Sequence, residues 1–178
     1  VIKHFQPRTS LFLISFPRRK GWYTMKLYLV QHAKAKPEQE DPARPLSDEG
    51  RRDIERIANF LKPLSLSVSR IVHSGKLRAK QTAEVLCGAL NSEQGVQEAT
   101  GLTPLDDPRP WAEKLRTEQS DLMLVGHLPH LAKLAGLLLT GDPERQSVRF
   151  TQGGVFCFER DEAGRWALVW AVTPELVR

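Results

Sequence analysis

Short apolar runs alternate with amphipathic stretches along the chain from residue 25 onward. The runs KLYLVQ (26–31), SRIVHS (69–74) and DLMLVGH (121–127) are almost continuously apolar, which is typical of strands buried on both faces of a sheet. Each run is followed by a stretch with apolar residues at helical spacing. This alternation predicts an α/β domain in which the three strands run parallel.

The helices between these strands have recognisable ends. Ser47 precedes a first helix with two acids in its first turn, and Pro63 ends that helix. A second helix is expected within residues 76–90 and a third within 128–141, with Pro129 in the first turn of the third. The predicted core stripe of the second helix consists of Leu77, Ala83, Leu86 and Leu90.

The C-terminal part of the chain changes to a strand–turn–strand pattern. GGVFCFER (153–160) and RWALVWAV (165–172) are joined by DEAG, which predicts a β-hairpin. We therefore expect a three-layer αβα sandwich whose sheet is mostly parallel with an antiparallel edge strand. Residues 25–178 have the size of a single domain.

The net charge of +5 is located in the first 24 residues. Five of the 26 lysines and arginines lie there without any acid, so the remaining 21 basic residues balance the 21 acidic ones. A basic patch for nucleic acid should belong to the folded domain, so we expect no nucleic-acid partner. Residues 1–24 are expected to be a poorly ordered extension, either a leader or an upstream stretch before a natural start at Met25.

The apolar runs and the two cysteines indicate in which cellular compartment the protein is expected. No run approaches the ~18 apolar residues that cross a bilayer, so we expect a soluble protein without a membrane partner. Cys87 and Cys157 lie in apolar surroundings without CxxC spacing, which favours reduced thiols in the cytoplasm.

Polar residues stand where the three predicted parallel strands end. The first strand ends in Gln31 and His32, the second leads through Ser74 to Arg78, and the third ends in His127. Ligands gather at the carboxyl ends of strands in open α/β sheets. Arginine and helix N-termini favour phosphate, and a neutral histidine can attack phosphorus. The pattern therefore predicts a phosphate site with a candidate nucleophile.

Plainer readings exist for each residue taken alone. A single histidine at a strand end is more often structural, and a lone arginine on a helix is more often solvated. His73 is expected at the rim of the site, and His130 either faces solvent or packs behind His127. His127 and His130 lie three residues apart, but no cysteine or acid cluster completes a metal shell, so we expect no metal.

Taken together, LYLVQHAKA, SRIVHSGKLRAKQTAEVL and LMLVGHLPHL resemble the histidine phosphatase (phosphoglycerate-mutase-like) superfamily, and more narrowly its SixA-type phosphohistidine phosphatase branch. RPLSDEG, LTPLDDP and the C-terminal hairpin are similar to that branch too. The resemblance implies a phosphoglycerate-mutase-like fold without a cofactor. It also implies that His32 is the nucleophile that becomes phosphorylated, Arg78 a phosphate clamp, and His127 a second histidine that stabilises the transferring phosphoryl group.

The first motif departs from the family pattern. The family has Arg-His-Gly where this chain has Gln31, His32 and Ala33. Gln31 can still donate hydrogen bonds to phosphate, but without charge, so we expect weaker phosphate affinity. Ala33 requires a backbone that avoids positive φ. Lys34 either supplies some of the missing charge or is a solvated lysine.

The expected substrate follows from the size of the chain. Larger superfamily members carry inserted lids and an acid that protonates an alkoxide, and this chain shows no such insertion. The leaving imidazole of phosphohistidine has a conjugate acid of pKa about 6.5 and departs without a strong acid. We therefore expect a monomer acting on a phosphohistidine-bearing protein. A phosphatase of small phosphate esters, with Asp106 or Asp107 as proton donor, and a non-catalytic phosphoprotein-binding module remain alternatives.

Overall fold

A six-stranded sheet forms the middle layer of the protein in the computed structural model, which describes residues 25–177. The expectation for residues 1–24 lies outside this range. The eight strands are β1 (Met25–Gln31), β2 (Ser67–Val68), β3 (Arg70–His73), β4 (Asn91–Ser92), β5 (Val96–Glu98), β6 (Leu122–Gly126), β7 (Val155–Arg160) and β8 (Trp166–Val172). The α-helices are α1 (Asp48–Leu61), α2 (Leu77–Cys87), α3 (Arg109–Thr117) and α4 (His130–Thr140), and a short 3-10 helix follows α1 (Lys62–Leu64).

The strand order in the large sheet is β5-β3-β6-β1-β7-β8. The first four of these strands run parallel, whereas β7 is antiparallel to β1 and pairs with β8 as the predicted hairpin. Gly164 has φ of 81° in the hairpin turn, and its backbone N–H donates to the carbonyl of Asp161. The mostly parallel sheet with an antiparallel edge strand is confirmed.

Each face of the sheet is covered by a pair of helices. Alternate residues of β1 point to opposite faces, so Tyr28 and Val30 pack with α1 and α2, whereas Leu27 and Leu29 pack with α3 and α4. Within residues 25–177, none of the helices is long and apolar enough to span a membrane. The two helical layers around one sheet confirm the three-layer αβα sandwich.

The beginning of α1 is fixed against the loop that follows β1. The Ser47 hydroxyl accepts a hydrogen bond from Gly50 N at 3.1 Å, as the sequence predicts for a helix cap. The Ser47 backbone N–H donates to the Lys34 carbonyl. A Cβ on residue 50 would lie 2.0 Å from the Lys34 carbonyl oxygen, so only glycine allows α1 to approach this loop so closely.

Two expectations for α2 and the cysteines are resolved by the structure. Leu77 was expected in the core stripe of α2 but is 36% exposed, because the helix begins at this residue and turns it outward. The buried face consists of Arg78, Ala79, Thr82, Ala83 and Leu86. Cys87 and Cys157 are both free thiols.

Candidate active site

Three neighbouring parallel strands end at the same edge of the sheet. His73 pairs with Val125, and Gln31 pairs with Gly126, so β3, β6 and β1 finish side by side. The residues that follow these strand ends are Ser74, His127 and His32. The His32 backbone N–H donates to the Gly126 carbonyl at 3.0 Å, which fixes the first residue beyond β1 to the end of β6.

His32 and His127 face one another at this edge. Their ring centroids are 4.8 Å apart, and the rings are tilted by 55°. Arg78 Nε donates to His32 Nε2 at 3.2 Å, and Ser74 Oγ lies 2.6 Å from His127 Nε2. All four side chains are buried. The structure thus brings together four of the five residues that the sequence singled out.

The turn between β3 and α2 places Arg78 at the site. Gly75 has φ of 81°, and a Cβ there would approach Glu98 Oε1 at 2.6 Å, so this tight turn requires glycine. Thr82, one helical turn after Arg78, accepts a hydrogen bond from Ala33 N at 3.1 Å and donates to the Arg78 carbonyl at 2.7 Å. Thr82 therefore ties the segment after His32 directly to the helix that carries Arg78.

Both histidines at this edge are uncharged at neutral pH. Burial lowers the pKa of His32 to about 4, with the positive charges of Arg78 and Arg44 acting in the same direction. Burial also lowers the pKa of His127 to about 3, with smaller contributions from His32 and Arg78. Neutral imidazole has a lone pair available, which a nucleophile requires.

The hydrogen bonds of His32 determine which of its ring nitrogens carries that lone pair. His32 Nδ1 lies 2.7 Å from the Ala33 carbonyl oxygen, which can only accept, so Nδ1 carries the proton. Nε2 then accepts the hydrogen bond from Arg78 Nε. The lone pair of Nε2 therefore points into the site.

These lowered pKa values predict a pH-dependent stability. As the pH falls from 7.5 to 5, the unfolded chain protonates its histidines near pH 6.5, whereas folded His32 and His127 resist protonation. The free energy of unfolding should therefore decrease by about 2 kcal/mol for each of the two residues. Urea unfolding at pH 7.5, 6.5, 5.5 and 5 measures this effect. His127→Gln should show a correspondingly smaller decrease, and an equal decrease in both proteins would contradict the assignment.

Arg44 joins this site although sequence reasoning did not single it out. Its positive charge lowers the pKa of both His32 and Arg78. Arg44 lies in the loop between β1 and α1 at φ of 49°, and its Nε donates to the Lys36 carbonyl at 3.4 Å. The RPLSDEG motif was the available signal, but the bend that brings this arginine back towards His32 depends on the folded loop.

The other two described histidines are not at the rim. His73 is only 4% exposed, and its Nδ1 accepts a hydrogen bond from Gly75 N at 3.0 Å, so it shapes the turn before α2. His130 is fully buried, which contradicts the solvent-facing alternative. Neither of its ring nitrogens has a hydrogen-bond partner among residues 25–177. Burial lowers the pKa of His130.

The two candidate acids lie beside α4 rather than at the histidine pair. Both line a separate cleft of ≈ 250 Å³ with Pro129 and Lys133. The Asp106 carboxylate accepts a hydrogen bond from Thr103 N at 2.7 Å, and bonds to Thr103 lower the pKa of Asp106. Asp107 Oδ1 accepts from Arg109 N at 3.0 Å. Asp106 is thus a poor proton donor, and Asp107 is engaged with the start of α3.

The departures in the first motif are accommodated in different ways. Ala33 is fully buried, and its backbone does not have positive φ, as expected. In the described part of the chain, the non-glycine residues with positive φ are Arg44 and Ser65. Lys34 Nζ pairs with Glu49 at 2.5 Å, so its charge is already compensated. Gln31 lines a second, open cleft of ≈ 450 Å³ next to the histidine pair.

Comparisons with known proteins identify the family of this chain. The family model for the Histidine phosphatase superfamily (branch 1) matches residues 27–104. Phosphohistidine phosphatase SixA of Escherichia coli (strain K12) is 26% identical over an alignment of 155 residues, which covers 84% of this chain and 94% of SixA. The structure of the protein histidine phosphatase SixA complexed with tungstate has 25% identity and a TM-score of 0.76, over 86% of this chain and 100% of that chain. The chain belongs to the histidine phosphatase superfamily.

The wider superfamily shares the fold. A phosphoglycerate mutase from Plasmodium falciparum has a TM-score of 0.62 at 17% identity, over 82% of this chain and 89% of that chain. At that identity the likeness concerns the fold alone, and it confirms the phosphoglycerate-mutase-like architecture. Membership of the histidine phosphatase superfamily supports a phosphatase. The family does not determine which group leaves from the phosphorus of the substrate; the structure of the site bears on that.

Proposed function

We propose that this histidine phosphatase removes phosphate from phosphohistidine on a protein, with His32 as the nucleophile. The observation that carries the proposal is the neutral His32 ring, whose Nε2 accepts a hydrogen bond from Arg78 and whose ring centroid lies 4.8 Å from that of His127. In the first step, a bond forms between His32 Nε2 and phosphorus while the bond between phosphorus and the substrate imidazole breaks. The substrate ring carries a proton on its other nitrogen near neutral pH and leaves as neutral imidazole. Water then attacks phosphorus, which releases inorganic phosphate and restores His32.

Arg78 has two partners in this scheme. In the described structure its Nε–H donates to the lone pair that must attack phosphorus. A bound phosphoryl group takes over this hydrogen bond as a charge-assisted contact, and His32 Nε2 becomes free to react. Binding of the substrate thus activates the nucleophile through the same arginine that holds the phosphate.

The remaining polar groups complete a phosphate site. Ser74 and His127 are bonded to one another and face the same edge, and Arg44 adds positive charge. Gln31 lines the adjacent cleft, and we assign its amide to the phosphate as a neutral donor from that side. His127 Nδ1 is buried without a hydrogen-bond partner among the described residues. A buried nitrogen without a hydrogen-bond partner is costly. We therefore assign His127 Nδ1 a hydrogen bond to the bound phosphoryl group or to a water molecule beside it. The similar SixA structure is complexed with tungstate, which is also a tetrahedral oxyanion, and this supports an oxyanion site in a protein of this fold.

The basic surroundings of the two histidines favour phosphohistidine over phosphate esters. Among residues 25–177, the side-chain charges that influence the pKa of His32 or His127 are all those of basic residues. An alkoxide leaving group needs a proton from a general acid, whereas imidazole leaves readily near neutral pH. Similarity to SixA, a phosphohistidine phosphatase, supports the same substrate class.

The experiment is a parallel assay of the full chain with a phosphohistidine-bearing protein and with phosphoserine and glycerol phosphate, two esters with alkoxide leaving groups. We expect kcat/KM to be at least about 100-fold higher for phosphohistidine. Faster hydrolysis of the esters would favour the small-ester phosphatase. Binding of the phosphoprotein without phosphate release, and without phosphate trapped on His32, would favour the binding module.

The assignment of Gln31 to the phosphate site predicts a gain from restoring the charge. Gln31→Arg should tighten vanadate binding by about 1 kcal/mol, or several-fold, because a charged hydrogen bond replaces a neutral one. Vanadate affinity at matched ionic strength measures this, with Gln31→Ala as a third protein. Equal affinity in all three proteins would place residue 31 outside the phosphate site.

A further inference from the structure

The open cleft lined by Gln31, which we call the outer cleft, borders the catalytic edge on two sides. Gln31 directly precedes His32, and Leu128 directly follows His127, and both line this cleft. Its opposite side is formed by the loop before β7 and by the segment after β8. At ≈ 450 Å³ the outer cleft has room for several side chains of a partner. A protein that presents its phosphohistidine to His32 would therefore place neighbouring residues here.

All but one of the charged residues that line the outer cleft interact with a neighbouring residue. Glu49 pairs with Lys34 at 2.5 Å, and Asp53 pairs with Arg56, also at 2.5 Å. Glu175 likewise takes part in an interaction. Arg149 is exposed and forms no ion pair or side-chain hydrogen bond within residues 25–177. Arg149 is therefore the charged side chain of this cleft that has no partner within residues 25–177.

Arg149 stands on a well-anchored segment. Its neighbours Val148 and Phe150 are buried at 8% and 7% exposure, and the Phe150 ring packs on Phe156 with centroids 4.5 Å apart. Three residues beyond Phe150, the Gly153 backbone N–H donates to the Gln31 carbonyl at 2.9 Å. The backbone around Arg149 is thus tied to the end of β1, directly before the nucleophile, which fixes the point from which the guanidinium projects.

We propose that the outer cleft is the docking site for the substrate protein and that Arg149 binds an acidic side chain next to the phosphohistidine. This inference rests on the proposed function and adds a specificity-determining residue to it. Arginine fits a carboxylate through two parallel hydrogen bonds, which a lysine in the same place would not provide. The contact lies outside the phosphoryl site, so it selects among substrate proteins without taking part in phosphoryl transfer.

The test uses two synthetic phosphohistidine peptides that differ only in carrying glutamate or glutamine beside the phosphorylated residue. The wild-type chain should hydrolyse the glutamate peptide with a kcat/KM about threefold to fivefold higher, through a lower KM. Arg149→Gln should treat both peptides alike. Arg149→Glu should reverse the preference and reduce kcat/KM for the glutamate peptide about tenfold, because attraction becomes repulsion.

Arg145→Glu is the matched control, because Arg145 is also an exposed arginine in this loop but does not line the outer cleft. It should keep the wild-type preference. An unchanged preference in Arg149→Glu would overturn the inference, as would an equal loss with both peptides and with vanadate, which would place Arg149 on the phosphoryl group itself. If the wild-type chain hydrolyses neither peptide, the proposed function fails and the inference with it.

Discussion

Replacement of His32 by alanine is expected to abolish phosphate release from phosphohistidine, with a loss of roughly 10⁴-fold or more in kcat. The variant lacks Nε2, the nitrogen whose lone pair is held towards the site by Arg78. No other described histidine can take its place, since His127 approaches the site with its Nε2 bonded to Ser74, and His73 and His130 are buried elsewhere. Water alone would have to attack the substrate directly.

The measurement combines turnover with trapping of the phosphorylated intermediate. Rapid quenching of the wild-type chain in alkali should retain labelled phosphate on His32, and the alanine variant should retain none.

Because His32 is only 8% exposed, its removal also leaves a small gap and unpairs Arg78 Nε, so circular dichroism must show that the variant is folded. His32→Gln, which retains a polar group near Arg78, is a second inactive variant. Residual turnover near the wild-type rate in either variant would remove His32 from the nucleophile role.

The strand ends were predictable because buried parallel strands have a strong apolar signal. The runs that precede His32 and His127 are almost entirely buried, and parallel pairing brings their ends together regardless of loop details. Arg78 was predictable for the same reason, because a tight turn with Gly75 leads directly from β3 into α2. The central part of the site therefore follows from local patterns.

Short elements with few buried residues were not predictable. Helix α3 has nine residues and buries only Trp111 and Leu115, which is too little for a periodic pattern. Strand β5 has three residues at the edge of the sheet, none of them fully buried. Such elements owe their conformation to the neighbours on which they pack, and those neighbours are distant in sequence.

The contribution of Arg44 and the charge state of the histidines depend on the assembled fold. Arg44 reaches the site through a loop residue with positive φ, a conformation that non-glycine residues adopt only when the surroundings impose it. The pKa values of His32 and His127 are lowered mainly by burial, which is set by packing from several elements. Sequence identifies the residue types that can do the chemistry, and packing determines whether they are neutral.

Arg78→Ala is expected to reduce kcat/KM for phosphohistidine about 10²- to 10³-fold, which corresponds to about 3 to 4 kcal/mol of transition-state stabilisation. The guanidinium is both the charged donor to the phosphoryl oxygens and the group that orients His32 Nε2. Arg78→Lys should recover part of the loss, because it restores the charge without the planar fork. Lys80→Ala, which removes an exposed cation from the same helix, should stay within about twofold of the wild type.

A second readout separates this electrostatic role from a purely structural one. The charge of Arg78 lowers the pKa of both His32 and His127, so its removal should raise both values. Both should nevertheless remain below 6.5, because burial is the largest cause of the lowering. Nitrogen-15 NMR titration of the histidine rings measures these pKa values in the wild type, Arg78→Ala and Arg78→Lys. If the alanine variant retains both its kcat/KM and its histidine pKa values, Arg78 is not the phosphate clamp of this site.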